Sequence, residues 1–262
     1  MKTINDFKLK KQKKEKITMV TCYDYNTAKI LSDTQIDTLL VGDSVSQVVH
    51  GFPSTLHATI EMMMMHTSAV ARGTANKFIV ADMPFMTTRK STDYAMECVQ
   101  KLMLAGAQAI KIENIDGHFD LIKHIVESGV PVMGHLGLTP QSIHQLGGPK
   151  IQGKTHEQAD KITNDALLMQ KAGCFSLVLE CVPAKLALDI TQKLDIPTIG
   201  IGAGAGTDGQ VLVINDLLGM QPDFNPKFLK KYHNLNQDII KAVNAYASEV
   251  TELKFPLTEN EY

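Results

Sequence analysis

Short apolar runs recur along the chain and stop at a polar side chain, without the alternation of a half-buried strand. The clearest run covers residues 38–44, where Thr-Leu-Leu-Val leads to Gly42, Asp43 and Ser44. Uninterrupted runs are typical of parallel strands, which are buried on both faces. We predict strands over residues 17–22, 37–41, 77–82, 108–113, 131–133, 175–180, 197–201 and 211–214.

Helical spacing of apolar residues separates most of these strands. Thr155, for example, begins a capping box with Gln158. In a chain of 262 residues, alternation of strand and helix favours an α/β fold, a (β/α)8 TIM barrel, over an open doubly wound sheet. Because no internal repeat or low-complexity linker divides the chain, we predict one domain over residues 1–262. The predicted helices cover residues 26–32, 59–72, 91–105, 117–127, 155–172, 183–194 and 226–249.

Two patterns have a plain structural interpretation. Residues 204–209 match the G-x-G-x-x-G motif, but a predicted strand follows them, and dinucleotide binding requires a helix there. The lysine-rich residues 8–16 are typical of a solvated surface helix or strap. Neither pattern predicts a nucleotide or nucleic-acid site.

Charge and cysteine content narrow the possible partners. The formal net charge is -2, from 26 Lys and Arg against 28 Asp and Glu, which gives no reason to expect nucleic acid or an anionic membrane as partner. The four cysteines show no Cys-x-x-Cys spacing, which favours reduced thiols in the cytoplasm. No apolar run approaches the roughly 20 residues that span a bilayer. We therefore expect a cytoplasmic protein with a small-molecule substrate.

Four predicted strands deliver a carboxylate at their C-terminal end, namely Asp43, Asp82, Glu113 and Glu180. Active sites of TIM barrels lie at this end of the strands. Buried carboxylates are costly unless they are paired or bind a cation, so converging acids suggest a metal ion and a general base. Asp43, Asp82 and Glu113 form an oxygen-only set that suits magnesium or manganese better than zinc. The alternative is that each acid is an ordinary helix cap or loop residue.

Three further side chains are candidates for the same site. Lys111 lies two residues before Glu113 and points to the same side of the strand, where it could bind an anionic substrate or simply neutralise the acid. Glu180 has no lysine within two residues, so a partly dry site would make it a general base; otherwise it makes a structural hydrogen bond. His135 could orient a ligand, bind a substrate oxygen, or be structural.

Several motifs together resemble the ketopantoate hydroxymethyltransferase family, 3-methyl-2-oxobutanoate hydroxymethyltransferases of pantothenate synthesis. The similarity runs along nearly the whole chain, and the segment around His135, in order with the others, is highly specific. The motifs cover residues 21–25 (TCYDY), 41–44 (VGDS), 51 with 54–56 (STL), 82–85 (DMPF), 111–113 (KIE), 134–141 (GHLGLTPQ) and 200–204 (GIGAG).

The resemblance implies a TIM-barrel transferase that makes ketopantoate from 3-methyl-2-oxobutanoate and 5,10-methylenetetrahydrofolate through a magnesium-stabilised enolate. It also implies a homodecamer. Matched by motif, Asp43, Asp82 and Glu113 are the magnesium ligands, some of them through water, and Glu180 is the proton acceptor. Substrate contacts are implied for Asp43, Ser44, Asp82, Lys111 and His135.

The chain departs from the family pattern at residues that are not proposed ligands. The family usually has two glycines at Asn114 and Ile115, an aromatic residue at Pro149 and a histidine at Asn215. Two other functions stay open on the residues alone. One is a magnesium-dependent, enolate-forming barrel of the phosphoenolpyruvate mutase or isocitrate lyase kind that acts without folate. The other is a keto-acid or metal-binding barrel without catalysis, for which a base at Glu180 would have no use.

Overall fold

The computed structural model describes residues 3–262 and shows a closed barrel of eight parallel strands. Each strand pairs with the next along the chain, and the last pairs with the first. The predicted (β/α)8 TIM barrel is therefore confirmed. The strands are β1 (Ile17–Thr21), β2 (Thr38–Val41), β3 (Phe78–Asp82), β4 (Ala109–Glu113), β5 (Val132–Gly137), β6 (Ser176–Glu180), β7 (Thr198–Ile201) and β8 (Gly209–Leu212).

The chain divides into two compact units, a barrel unit of residues 1–213 and a C-terminal unit of residues 214–262. The prediction of one domain over the whole chain stays a prediction. No helix within residues 3–262 is both long enough and apolar enough to cross a membrane. The α-helices of the barrel unit are α1 (Ile4–Lys13), α2 (Tyr25–Ser32), α3 (Val45–Val48), α4 (Ile60–Gly73), α5 (Thr92–Leu104), α6 (Phe119–Glu127), α7 (Ile143–Leu146), α8 (His156–Lys171) and α9 (Ala184–Lys193), and those of the C-terminal unit are α10 (Ile214–Leu217) and α11 (Leu235–Thr251).

Helix α1 closes the end of the barrel opposite the carboxylates. Its fully buried Phe7 packs edge-on against Phe78, with ring centroids 5.5 Å apart, and against Phe175, at 5.0 Å. Phe78 begins β3 and Phe175 directly precedes β6, so both mark the N-terminal ends of the strands. Of the two predicted alternatives for the lysine-rich segment, a surface helix or a strap, the structure shows a helix as far as Lys13, and its buried phenylalanine anchors it.

Strand β5 is longer than predicted and contains His135. The predicted end at residue 133 was wrong because Gly134 resembles a strand breaker in the sequence. A Cβ atom at Gly134 would lie 2.9 Å from the Met169 sulfur and 3.0 Å from Leu177 Cδ1. Glycine is present here because α8 packs closely over the strand.

The C-terminal boundaries also differ from the prediction. Strand β8 begins at Gly209, two residues earlier than predicted, because its backbone runs against β1: a Cβ at Gly209 would lie 2.4 Å from the Ile17 carbonyl oxygen. The last glycine of the motif at residues 204–209 is thus the first residue of β8, so a strand and not a helix follows the motif, as expected. Helix α11 begins at Leu235 and ends at Thr251, so the predicted range 226–249 began too early.

Candidate active site

The predicted site residues lie at the C-terminal ends of five consecutive strands, β2 to β6. The parallel register aligns Asp82 with Lys111 and Glu113 with His135 on neighbouring strands. Most of these side chains are buried, whereas Ser44 and Glu180 are partly exposed. The residues are Asp43 and Ser44 after β2, Asp82 in β3, Lys111 and Glu113 in β4, His135 in β5 and Glu180 in β6.

Asp43 and Asp82 form the acidic centre of the site. The Asp43 backbone N–H donates to Asp82 Oδ2 at 3.0 Å, and Lys111 Nζ lies 3.1 Å from Asp82 Oδ1. Burial, followed by the charges of Asp82 and Glu113, raises the pKa of Asp43 well above its usual range. Burial also raises the pKa of Asp82, against the opposing charge of Lys111. The centre therefore carries more carboxylate than its one lysine neutralises.

Lys111 is the ammonium group of this centre. Burial acts to lower its pKa, but the charges of Asp82, Glu113 and Asp43 together outweigh burial and raise it above the ordinary value. The side chain is 5% exposed. Lys111 thus remains charged at neutral pH and is fixed beside Asp82 and His135 at the strand ends.

His135 connects two carboxylates on opposite sides of its ring. Its Nδ1 lies 3.4 Å from Glu113 Oε1 and 3.3 Å from Lys111 Nζ, and its Nε2 lies 3.2 Å from Glu180 Oε2. Burial and the charge of Lys111 lower the pKa of His135, but Glu113 and Glu180 outweigh both and raise it to about 9. The ring therefore favours the charged form and holds Glu180 next to the acidic centre.

Gln141 is a site residue that the sequence did not single out as one. Its side-chain amide donates to Asp43 Oδ2 at 2.8 Å and to the Met83 carbonyl oxygen at 2.9 Å, and its backbone N–H donates to Glu113 Oε2 at 3.0 Å. The loop after β5 thus positions two of the predicted metal ligands. Its sequence signal is its place as the last residue of the motif over residues 134–141, four residues beyond the end of β5.

Tyr23 is the second residue that the prediction missed. Its hydroxyl lies 2.8 Å from Ser44 Oγ, and its side chain is 3% exposed. Burial raises the pKa of Tyr23 above its usual range, so the hydroxyl keeps its proton. It can therefore donate to Ser44 Oγ and leave the serine hydroxyl free to donate to a ligand. Tyr23 follows β1 by two residues, the same kind of position that the acids occupy.

The acidic centre has features that suit a hard cation. Asp82 Oδ1 and Glu113 Oε1 are buried, and each lies against one cationic group, Lys111 Nζ at 3.1 Å and His135 Nδ1 at 3.4 Å. No group of three His, Cys, Asp or Glu side chains in this part of the chain is spaced to hold a metal ion directly. Magnesium usually keeps several waters and takes one or two protein carboxylates. Asp43, Asp82 and Glu113 are therefore side chains that could hold a magnesium ion together with water.

Asn114 occupies a position that the resemblance assigns to glycine. Its φ of 60° is left-handed, a conformation that asparagine tolerates better than most residues. Its amide donates to Thr139 Oγ1 at 3.2 Å and to Ser142 Oγ at 3.0 Å. The substitution thus keeps the backbone path beside Glu113 and links the loop after β4 to the loop after β5.

Solved structures share this fold at low sequence identity. A phosphoenolpyruvate phosphomutase from Streptomyces platensis subsp. rosaceus matches with a TM-score of 0.63 and 12% identity, covering 95% of this chain and 88% of its own. A 2,3-dimethylmalate lyase, described as a member of the PEP mutase/isocitrate lyase superfamily, matches with a TM-score of 0.63 and 12% identity, covering 100% and 92%. These matches support the barrel architecture alone.

Sequence relatives are much closer. The 3-methyl-2-oxobutanoate hydroxymethyltransferase of Legionella pneumophila (strain Lens) is 54% identical over 260 residues, 99% of each chain. The protein of that name from Francisella tularensis subsp. novicida (strain U112) is 53% identical over 262 residues, 100% of this chain and 99% of its own. The family model described as ketopantoate hydroxymethyltransferase matches residues 1–258. With these matches spanning the barrel and all the strand-end residues described above, the chain belongs to the ketopantoate hydroxymethyltransferase family of enzymes.

Proposed function

We propose that this enzyme transfers a hydroxymethyl group from 5,10-methylenetetrahydrofolate to 3-methyl-2-oxobutanoate, forming ketopantoate for pantothenate and coenzyme A synthesis. The observation that carries the proposal is the buried group of Asp43, Asp82 and Glu113 around the single ammonium of Lys111. Such a group suits a divalent cation together with a small anionic substrate that brings its own oxygen ligands. A 2-keto acid is a substrate of this kind.

The chain's own residues perform three tasks in this reaction. Lys111 and Ser44 bind the keto acid, the lysine by charge and the serine by a hydrogen bond that Tyr23 orients. Glu180 removes the proton from C3, leaving the enolate, and His135 keeps its carboxylate in place. C3 then bonds to the one-carbon unit of the donor, and water supplies the hydroxyl oxygen. Both carbon–nitrogen bonds of that unit break, and the two nitrogens take up the proton from C3 and one proton from water.

We propose that Asp43, Asp82 and Glu113 would hold a magnesium ion, some of them through water. When bound, the ion supplies electrostatic stabilisation of the negative charge that develops on the keto acid oxygens. Gln141 holds Asp43 and Glu113 in position for it.

Exchange of the C3 proton of 3-methyl-2-oxobutanoate in heavy water, followed by NMR, tests this proposal. We expect exchange by the wild type that depends on magnesium and is lost in Glu180→Gln, because Glu180 is the proton acceptor. Glu157→Gln, at an exposed position in α8, is the matched control and should exchange as the wild type does. A folded, magnesium-loaded wild type that exchanges no proton, with or without tetrahydrofolate, would favour a binding protein instead.

Enzymes of the mutase or lyase kind typically carry a catalytic cysteine in a loop. Cys181 directly follows Glu180 at the end of β6 and is partly buried. Burial, and then the charge of Glu180, raises the pKa of Cys181 to about 11, so the thiol is protonated at neutral pH. A protonated thiol is a poor nucleophile and acid, which favours the folate-dependent reaction.

We also propose that the enzyme assembles as a homo-oligomer, specifically a homodecamer. In support, helix α11 exposes an apolar stripe with spacings of four, three and four residues, the pattern of a helix that packs on another helix. Sedimentation at micromolar concentration should give a decamer, and a monomer would disprove the assembly. The stripe consists of Ile239, Val243, Tyr246 and Val250, each more than 40% exposed.

A further inference from the structure

A cavity of about 730 Å³ opens beside Glu113 in the barrel unit. It lies between the loops that follow β3, β4 and β5, and its wall includes Arg89, Asn114 and His118. Ligand pockets commonly have volumes of about 300–1,000 Å³. Ser44, Asp82 and Lys111, the proposed contacts of the keto acid, are not among the described residues that line this cavity. A second, larger ligand therefore has room there beside Glu113.

The outer wall of the cavity contains two apolar side chains and the guanidinium group of Arg89. Phe85 and Met86 are 41% and 43% exposed, and Met86 has a left-handed φ of 62°, which is a strained conformation for a residue other than glycine. Arg89 is exposed and forms no ion pair with an acid within residues 3–262. A planar ring and a carboxylate of one ligand would fit this wall.

His118 adds an unpaired acceptor to the same wall. Its Nδ1 lies 3.1 Å from the Asn114 carbonyl oxygen, which can only accept, so Nδ1 carries the proton. The main chain of Thr88 is close to the ring, yet Nε2 is buried without a hydrogen-bond partner. Burial, together with the charge of Arg89, lowers the pKa of His118, so the ring is neutral. Nε2 therefore offers a lone pair for an N–H group of a ligand.

We propose that this cavity binds the p-aminobenzoylglutamate tail of the folate donor. This proposal rests on the proposed function. In it, the α-carboxylate of the tail binds Arg89, and the adjacent amide N–H donates to His118 Nε2. The benzoyl ring lies against Phe85 and Met86, and the reduced pterin extends inward to Glu113. In this tail the amide nitrogen and the α-carboxylate are attached to the same carbon, which matches a donor and an acceptor on neighbouring parts of one wall.

Two ligands distinguish binding of the tail from binding of the pterin. Isothermal titration of the full chain with tetrahydrofolate and with 6-methyltetrahydropterin, which lacks the tail, measures the two affinities in the presence of magnesium. Arg89→Met should weaken tetrahydrofolate binding by about tenfold or more, because it removes a charged hydrogen-bond partner. The same variant should bind 6-methyltetrahydropterin as the wild type does. His118→Leu should show the same selective loss, with the Michaelis constant of the donor raised and that of the keto acid little changed.

Matched controls lie outside the cavity. Arg72→Met and His124→Leu replace exposed residues of α4 and α6 and should bind both probes normally. Thermal unfolding confirms that each variant is folded. Equal affinities of Arg89→Met and wild type for tetrahydrofolate would overturn the assignment, and so would an equal loss for both probes.

A different experiment tests the proposed function. Proton exchange at C3 requires no folate, so a wild type without exchange refutes the keto acid chemistry. Selective loss of tetrahydrofolate binding in Arg89→Met would still support the tail site in that case. The two failures are therefore distinguishable.

Discussion

His135 Nε2 lies 3.2 Å from Glu180 Oε2, and the opposite ring nitrogen lies 3.4 Å from Glu113 Oε1. One buried ring therefore sets the distance between the proposed base and the acidic centre. Because Glu180 is partly exposed, with 18% of its side chain accessible, it depends on this contact for its position.

His135→Gln is expected to lower the rate of C3 proton exchange by about a hundredfold, because a misplaced base loses its orientation to the substrate. The measurement is NMR exchange in heavy water at saturating keto acid. His144→Gln, at an exposed position in α7, serves as the control. If His135→Gln exchanged the C3 proton at the wild-type rate, Glu180 would need no support from the ring.

Tyr23→Phe is expected to raise the Michaelis constant for 3-methyl-2-oxobutanoate by up to about tenfold, because Ser44 loses the hydrogen bond that orients its hydroxyl. Steady-state kinetics with varied keto acid measures it, and the exposed Tyr25→Phe is the control. In a Ser44→Ala background the effect of Tyr23→Phe should disappear. Additive effects in this double-mutant cycle would instead indicate a purely structural tyrosine.

Gly209→Ala is expected to destabilise the barrel by about 1–3 kcal/mol or more, because its Cβ would meet the Ile17 carbonyl where β8 closes on β1. Urea unfolding measures the change. Gly129→Ala distinguishes a steric clash from backbone strain. Nothing lies within 4 Å of a Cβ at Gly129, so only its φ of +90° opposes the substitution. Equal losses in the two variants would argue against a steric clash at the closure.

Asp216→Asn is expected to stabilise the protein at pH 7 and to have little effect at pH 4. Burial raises the pKa of Asp216 to about 6, with Lys231 opposing the shift. The folded state therefore holds this proton more tightly than the unfolded state, and stability falls as pH rises from about 4 to 6. Melting temperatures across this range provide the test, with the exposed Asp223→Asn as control. An identical pH profile for Asp216→Asn and wild type would contradict the shift.

The positions of the strands and of their terminal acids follow from the sequence itself. Uninterrupted apolar runs require burial on both faces, and their alternation with helices leaves a parallel barrel as the natural arrangement. In that fold the C-terminal strand ends share one mouth, so the sequence alone places Asp43, Asp82 and Glu113 there. The strand boundaries at Gly134 and Gly209 were predicted wrongly because these glycines are required by contacts with residues distant in the sequence, Met169 of α8 and Ile17 of β1.

Only the tertiary structure decided which partners these side chains have. Gln141 reaches Asp43 across 98 positions of sequence, and His135 joins acids from the strands on either side of it. Strand periodicity is a local property that residues a few positions apart reveal. Hydrogen-bond partners depend instead on strand register and on the paths of loops, which form only when the barrel closes.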